Sequence, residues 1–274
     1  MKTAQLCDKY LAEYAPRKKS AGNDAWLVAK YVRPELGDML VINVKYAHVD
    51  RLHQKLKKTP FAANRCLSLL SIMFKLAERW ELRERGTNPC IGIERFKEPK
   101  RKRYTSEDEA RAVLTALNAR WDKYPLEVAL ILLELYTGAR PGELKNIEWS
   151  WIHGTRVELP DSKTGEGTIF LNPQALAVVS RLPQARRWVI GPDVNARYVW
   201  ASVLDDTGIK DLRMYDLRHS YASFGLQAKQ SLGEIGSILR HTTPATTHRY
   251  VHLSPAHGQR VTDEIGAHMK TIGL

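Results

Sequence analysis

The chain is poor in cysteine, in long apolar runs and in clustered acidic residues. Its three cysteines, Cys7, Cys66 and Cys90, are widely spaced and match neither a zinc framework nor a disulfide set, so they read as core or surface thiols. The longest apolar runs, such as Val128 to Leu133, fall well short of the roughly eighteen residues of a membrane span. The N-terminus lacks the charged-then-apolar pattern of a signal peptide, which leaves the cytoplasm or nucleoid as the expected location, with no membrane partner. No P-loop, no HExxH and no acidic metal cluster occurs, and there is no internal repeat or low-complexity segment.

What remains is the composition of a folded, basic protein. At 274 residues and 43% hydrophobic side chains, the chain can form two ordinary domains with real cores. Its formal charge of +12 points to a polyanionic partner. Residues 1–99 hold 19 Lys and Arg against 11 Asp and Glu, Lys100 to Arg103 add four cations, and residues 104–274 hold 19 of each sign. The bulk attraction therefore comes from the N-terminal third and the stretch that follows it. On charge alone, a solvated basic surface without a partner is the plain alternative.

Periodicity predicts a small all-α domain over residues 1–96. Helices are expected over 3–15 and 22–35, broken by Pro16 and ended by Pro34 and Gly37, with a third from about Tyr46 to Leu56. In the fourth, Thr59 caps, Pro60 takes the first turn, and Leu67, Leu70, Met73, Phe74, Leu76 and Ala77 carry the apolar stripe to about Arg83. Its solvent face carries Arg65, Lys75, Arg79, Arg83 and Arg85, which can track phosphates or be an ordinary solvated face. Residues 97–104 read as a basic extended linker, in which Lys100, Arg101, Lys102 and Arg103 are further candidates for phosphate contact.

Residues 105–274 read as a second, mainly helical domain. Ser106 to Glu109 form a capping box into a helix through about Leu117, and Pro125 to Tyr136 form a strongly apolar central helix. Between Trp149 and Leu171, apolar residues alternate with polar ones and turns, as in a small antiparallel sheet. Helices resume at about 173–182, 194–206, 216–228, 232–239, 244–251 and 256–269. The fold class expected is thus mainly α with a small antiparallel β-sheet in the second domain.

Several motifs in that domain carry groups suited to phosphate chemistry, and each alone has an ordinary reading. Arg140 in TGARPGEL can pair with Glu143 structurally, Lys163 lies in a hairpin where lysines are common, Arg218-His219 fits a helix surface, and Tyr250 fits a core. In order, TGARPGEL, SKTGEGTIFL, YDLRHSYAS and LRHTTPATTHRYVHL resemble the arginine, β-hairpin lysine, H-x-x-R and T-x-x-Y-x-H motifs of the tyrosine recombinase (phage integrase) family. The resemblance is specific over residues 104–260. Residues 1–98 share only size, helicity and basicity with that family's core-binding domain.

The resemblance implies a site-specific recombinase that cleaves and rejoins double-stranded DNA. Tyr250 would attack the scissile phosphate to form a 3′-phosphotyrosine, and Arg140 and Arg218 would stabilise charge on the non-bridging oxygens. Lys163 would protonate the leaving 5′-oxygen, His241 would hydrogen-bond a phosphate oxygen, and Glu143 would orient Arg140. Because the phosphodiester energy is kept in the enzyme bond, no metal or nucleotide cofactor is implied. His248 and His252, four apart, lack an obvious third ligand and read as helix-surface or DNA-contact residues. A homotetramer across two DNA sites and accessory DNA-bending proteins are the implied partners. Because the sequence starts close to the region that resembles the core-binding domain, the arm-site-binding domain that many phage integrases carry is not expected.

Two positions depart from the family pattern. Tyr215 stands where the family usually has histidine, and a phenol with a pKa near 10 is a poor base at neutral pH. Arg240 stands where glycine is usual and can add a phosphate contact or crowd the site. These departures keep open a second expectation, a DNA-binding or architectural protein with the fold but weakened or lost activity. The segment Pro255 to Leu274, with Val261, Ile265 and Met269 at helical spacing, can dock on a neighbouring subunit or pack on its own domain.

Overall fold

The computed structural model describes residues 1–99, 101, 103–160, 165–240 and 269. It divides into two compact units, Met1–Lys100 and Arg101–Leu274, with the division falling inside the stretch read as a linker.

The first unit is helical: α1 (Thr3–Glu13), α2 (Ala21–Leu27), α3 (Arg33–Leu36), α4 (Tyr46–Lys55) and α5 (Pro60–Arg79). Leu6 and Tyr10 of α1 meet Leu67, Leu70, Met73 and Phe74 of α5 in one core, because four-residue spacing places them on single helix faces. All three cysteines are buried. Burial pushes the Cys7 thiol up to about 11 and those of Cys66 and Cys90 to about 12, so each stays protonated at neutral pH.

Three local expectations are corrected. Pro34 does not end the second helix, because a π-turn over Val28–Val32 links α2 to α3 and the Arg33 N–H donates to Val28 O. That wider turn precedes the proline, whose ring would crowd the i−4 carbonyl of a regular α-helix. Thr59 does not cap α5 with its side chain; its hydroxyl donates back to Leu56 O at 3.2 Å. Arg83 is not part of a phosphate-tracking face, since α5 stops at Arg79 and the guanidinium donates to Val41 O, Val44 O and Thr87 O. It also lies over the Phe74 ring, 5.1 Å from the centroid, and burial pulls its pKa down.

The second unit contains α6 (Glu107–Asn118), α7 (Pro125–Thr137), α8 (Pro141–Lys145), α9 (Pro173–Ser180), α10 (Arg197–Thr207), α11 (Asp216–Gln227) and α12 (Leu232–Ile238). Strands β1 (Ile152–His153), β2 (Arg156–Leu159) and β3 (Gly167–Phe170) form a β1-β2-β3 antiparallel sheet. The register places Val157 opposite Ile169 and Leu159 opposite Gly167, so the alternating apolar residues share the buried side. The mainly helical class with one small antiparallel sheet is as the sequence pattern predicts. The expected helices at 244–251 and 256–269 lie outside the described residues, apart from the exposed, helical Met269.

Helix α7 is the centre of this unit. Val128 to Leu133 are all at most 2% exposed, which accounts for a run apolar on every face, and α6, α8, α9, α10 and α11 pack against it. Burial of one such side chain contributes about 1.5–3 kcal/mol. The helix ends where Gly138 adopts a left-handed φ of 63°, and a Cβ there would stand 2.6 Å from Leu239 Cδ2 and 2.7 Å from Tyr221 Cδ1. Glycine is thus required twice, by backbone conformation and by the close approach of α11 and the residue after α12. Among the described residues no helix is long and apolar enough to cross a membrane.

Candidate active site around Arg140 and Arg218

The turn after α7 and the helix α11 bring two arginines to one place. Arg140 precedes α8 in extended conformation, where Pro141 at the first helical position fixes the turn and Glu143 reaches back to the Arg140 N–H at 3.2 Å. The same carboxylate accepts from Arg140 Nη1 at 2.9 Å, and Arg140 Nη2 donates to Arg240 O at 3.4 Å. Glu143 therefore orients Arg140, through an ion pair whose side chains are 22% and 8% exposed.

Arg218 is only 3% exposed. Its Nη1 donates to Gly138 O and its Nη2 to Leu239 O, so one guanidinium ties the end of α7 to the end of α12. A planar fork reaches two separate carbonyls from two nitrogens, whereas all three donors of a lysine sit on one. Arg240 completes the group: its Nη2 lies 2.5 Å from Glu143 Oε1, so a single carboxylate faces both Arg140 and Arg240. Guanidinium groups gathered in a largely buried cluster are suited to hold a tetrahedral oxyanion, because each carries several N–H donors in a planar fork.

Tyr215 sits at the start of α11, 47% exposed, with its ring edge-on to His219 at 5.9 Å. Lys163, His241 and Tyr250, like Lys100, Lys102, His248 and His252, lie outside the described residues. In the first unit Arg65, Lys75 and Arg79 are exposed along α5. The two described linker arginines are held by acids. Arg101 Nε donates to Asp216 at 3.0 and 2.9 Å and its Nη1 to Asp211 at 2.8 Å, while Arg103 pairs with Glu109 at 2.5 Å. The 1%-exposed Asp216 also accepts from Arg213 N, so Arg101 steadies the first turn of the helix that carries Arg218. Nothing in the basic run announces that partner, because Asp216 lies more than a hundred residues away in sequence.

Sequence reading also missed Glu134. It is fully buried on α7, and neither carboxyl oxygen has a hydrogen-bond partner among the described residues. Burial raises its pKa well above 4.5, the Arg218 charge opposes that rise, and Asp216 adds to it. An acid set inside the apolar stretch from Val128 to Leu135 was the available signal. With the folded pKa raised, the native state binds the extra proton, so stability falls as pH rises from about 4.5 toward the raised value. Glu134→Gln removes that titration. The variant should match the wild type near pH 4.5 and gain on it by up to about 1.4 kcal/mol per pH unit above, read from urea midpoints at stepped pH. A constant difference across pH would show that Glu134 does not titrate in this range.

No protein-family model matches the chain. It is 26% identical over 216 residues to the integrase of Salmonella phage P22, covering 70% of this chain and 54% of that protein. To the tyrosine recombinase XerD of Lacticaseibacillus casei it is 26% identical over 229 residues, covering 75% and 76%. The chain spans little more than half the length of the phage integrases it matches. Among solved structures, a lambda integrase (residues 75–356) dimer bound to a COC′ core site superposes with a TM-score of 0.73 at 18% identity, covering 90% of this chain and 97% of that one. Lambda integrase has also been solved as a tetramer bound to a Holliday junction, with a TM-score of 0.71. In its fold, in these sequence relatives and in the ordered arginine, lysine, H-x-x-R and tyrosine motifs, the chain is similar to tyrosine recombinases.

Proposed function

We propose that this protein is a site-specific recombinase that cleaves and rejoins duplex DNA through a 3′-phosphotyrosine on Tyr250. The observation that carries the reading is the meeting of Arg140 and Arg218, from distant motifs, in one largely buried group with Glu143. Attack by the Tyr250 phenolate on phosphorus would break the P–O bond to the 5′-oxygen, which takes a proton from Lys163. Arg140 and Arg218, with His241, would hold the non-bridging oxygens as negative charge builds on them. Tyr215, where the family's usual histidine would stand, would donate a hydrogen bond to a phosphate oxygen from its hydroxyl.

The first unit supplies phosphate contacts in this reading. Arg65, Lys75 and Arg79 are exposed and fall on one side of α5 by helical period, and Lys100 and Lys102 extend the basic run. Arg101 and Arg103, paired with acids, serve first to seat the linker on the second unit. By analogy with the lambda integrase assemblies, the active form is a homotetramer on two DNA sites, with accessory DNA-bending proteins as further partners and the nucleoid as its place of work.

The test uses a nicked suicide duplex carrying a site selected by its binding to the purified protein. A protein–DNA species that survives denaturation and joins protein to the 3′ end supports the proposal. Its absence between pH 6 and 9 on a demonstrably bound site would leave a DNA-binding protein with the family's fold and no reaction.

A further inference from the structure

Arg240 is expensive for the fold in two ways. Its backbone has a left-handed φ of 52°, a conformation that suits glycine and strains a side-chain-bearing residue. Its guanidinium is covered, with the side chain 13% exposed and neither Nη atom making an aligned hydrogen bond among the described residues. Contact with Glu143 is a close ion pair, but that carboxylate already accepts from Arg140. The other side of the guanidinium rests on β3, where a Cβ on Gly167 would stand 2.4 Å from Arg240 Nη1. Gly167 thus leaves the space that the side chain fills.

The charge balance points the same way. Arg140, Arg218 and Arg240 are permanently charged, and they are linked through Glu143, Arg240 O, Leu239 O and Gly138 O. One carboxylate, Glu143, faces both Arg140 and Arg240, and burial favours the neutral form of nearby Glu134. A covered, poorly aligned cation beside two others calls for an anion.

We propose that Arg240 is a third guanidinium ligand for the phosphate that Arg140 and Arg218 hold, turning from Glu143 to one of its oxygens on binding. This deepens the recombinase reading and rests on it for the identity of the anion, a DNA backbone phosphate. A purely structural bridge between Glu143 and β3 is the rival. It predicts no dependence of anion binding on residue 240.

Arg240→Gly suits the test, because glycine relieves the left-handed backbone and should leave the fold intact. Arg240→Lys, which keeps the charge but not the fork, is the second variant. Inorganic phosphate is titrated against chloride at equal ionic strength and followed by melting temperature. Arg240→Gly should weaken phosphate binding about tenfold or more, the size of one charge-assisted contact, and Arg240→Lys by less. Phosphate affinity within twofold of wild type in Arg240→Gly, or no stabilisation of the wild type at all, overturns the proposal. A second arm compares suicide substrates with a scissile phosphodiester or a neutral methylphosphonate. The loss caused by Arg240→Gly should shrink at least tenfold on the neutral substrate, because the charge it answers is gone; an equal loss on both would also overturn the proposal. If the wild type forms no adduct, the recombinase reading fails, while the phosphate titration still decides whether Arg240 binds an anion.

Discussion

Tyr250→Phe should abolish the covalent protein–DNA species, lowering its rate of formation by at least about 10⁴-fold, the scale set by removing a covalent nucleophile. The substitution deletes one oxygen and leaves the ring, so affinity for the same DNA should stay within about threefold, less than 1 kcal/mol. Denaturing gels of the suicide substrate read the first quantity and a mobility-shift assay the second. A residual adduct in the Phe variant would mean that another hydroxyl attacks. Tyr215, 47% exposed at the head of α11, would then be the first residue to replace. Loss of DNA binding together with cleavage would instead make Tyr250 part of the binding surface.

Arg218→Lys should reduce cleavage by roughly 10²–10³-fold and lower folding stability by about 1–3 kcal/mol. Both effects come from the same fork. Arg218 satisfies Gly138 O and Leu239 O inside the protein, and lysine reaches one of them at most, leaving a buried carbonyl without a donor. The remaining charge is a compact ammonium that cannot present two parallel N–H groups to a phosphate. Urea denaturation measures the stability term, and single-turnover cleavage under fully folded conditions measures the catalytic one. If the variant lost stability but cleaved at the wild-type rate, Arg218 would be a brace between α7 and α12 with no part in the reaction. Unchanged stability with the full loss in rate would show that its carbonyl partners are already satisfied by other donors.

The residue types of the candidate site stand out in the sequence for chemical reasons. Arginine, glutamate, lysine, histidine and tyrosine in TGARPGEL, SKTGEGTIFL, YDLRHSYAS and LRHTTPATTHRYVHL are short local patterns in a fixed order. Gly138 within TGARPGEL ends α7 at a positive φ. The apolar run at 128–133 announced a buried helix, and alternation between Trp149 and Leu171 announced the sheet.

What could not be read were partnerships between residues distant in the chain. The linker arginines looked like phosphate contacts because their neighbours are basic, yet Arg101 pairs with Asp211 and Asp216. Arg83 looked exposed by helical period, but α5 ends before it and the chain folds its guanidinium onto the Val41 and Val44 carbonyls. The buried state of Glu134 likewise depends on the elements packed around α7.

The helical class, the small sheet, the likeness to tyrosine recombinases and the residue types suited to the chemistry were set by the sequence alone, because these follow from local periodicity and short motifs. Tertiary packing decided that Arg218 is buried against two carbonyls, that Glu143 faces both Arg140 and Arg240, and that Glu134 is buried with no hydrogen-bond partner among the described residues. Burial and charge pairing depend on which segments meet after folding, and that information is spread over the whole chain.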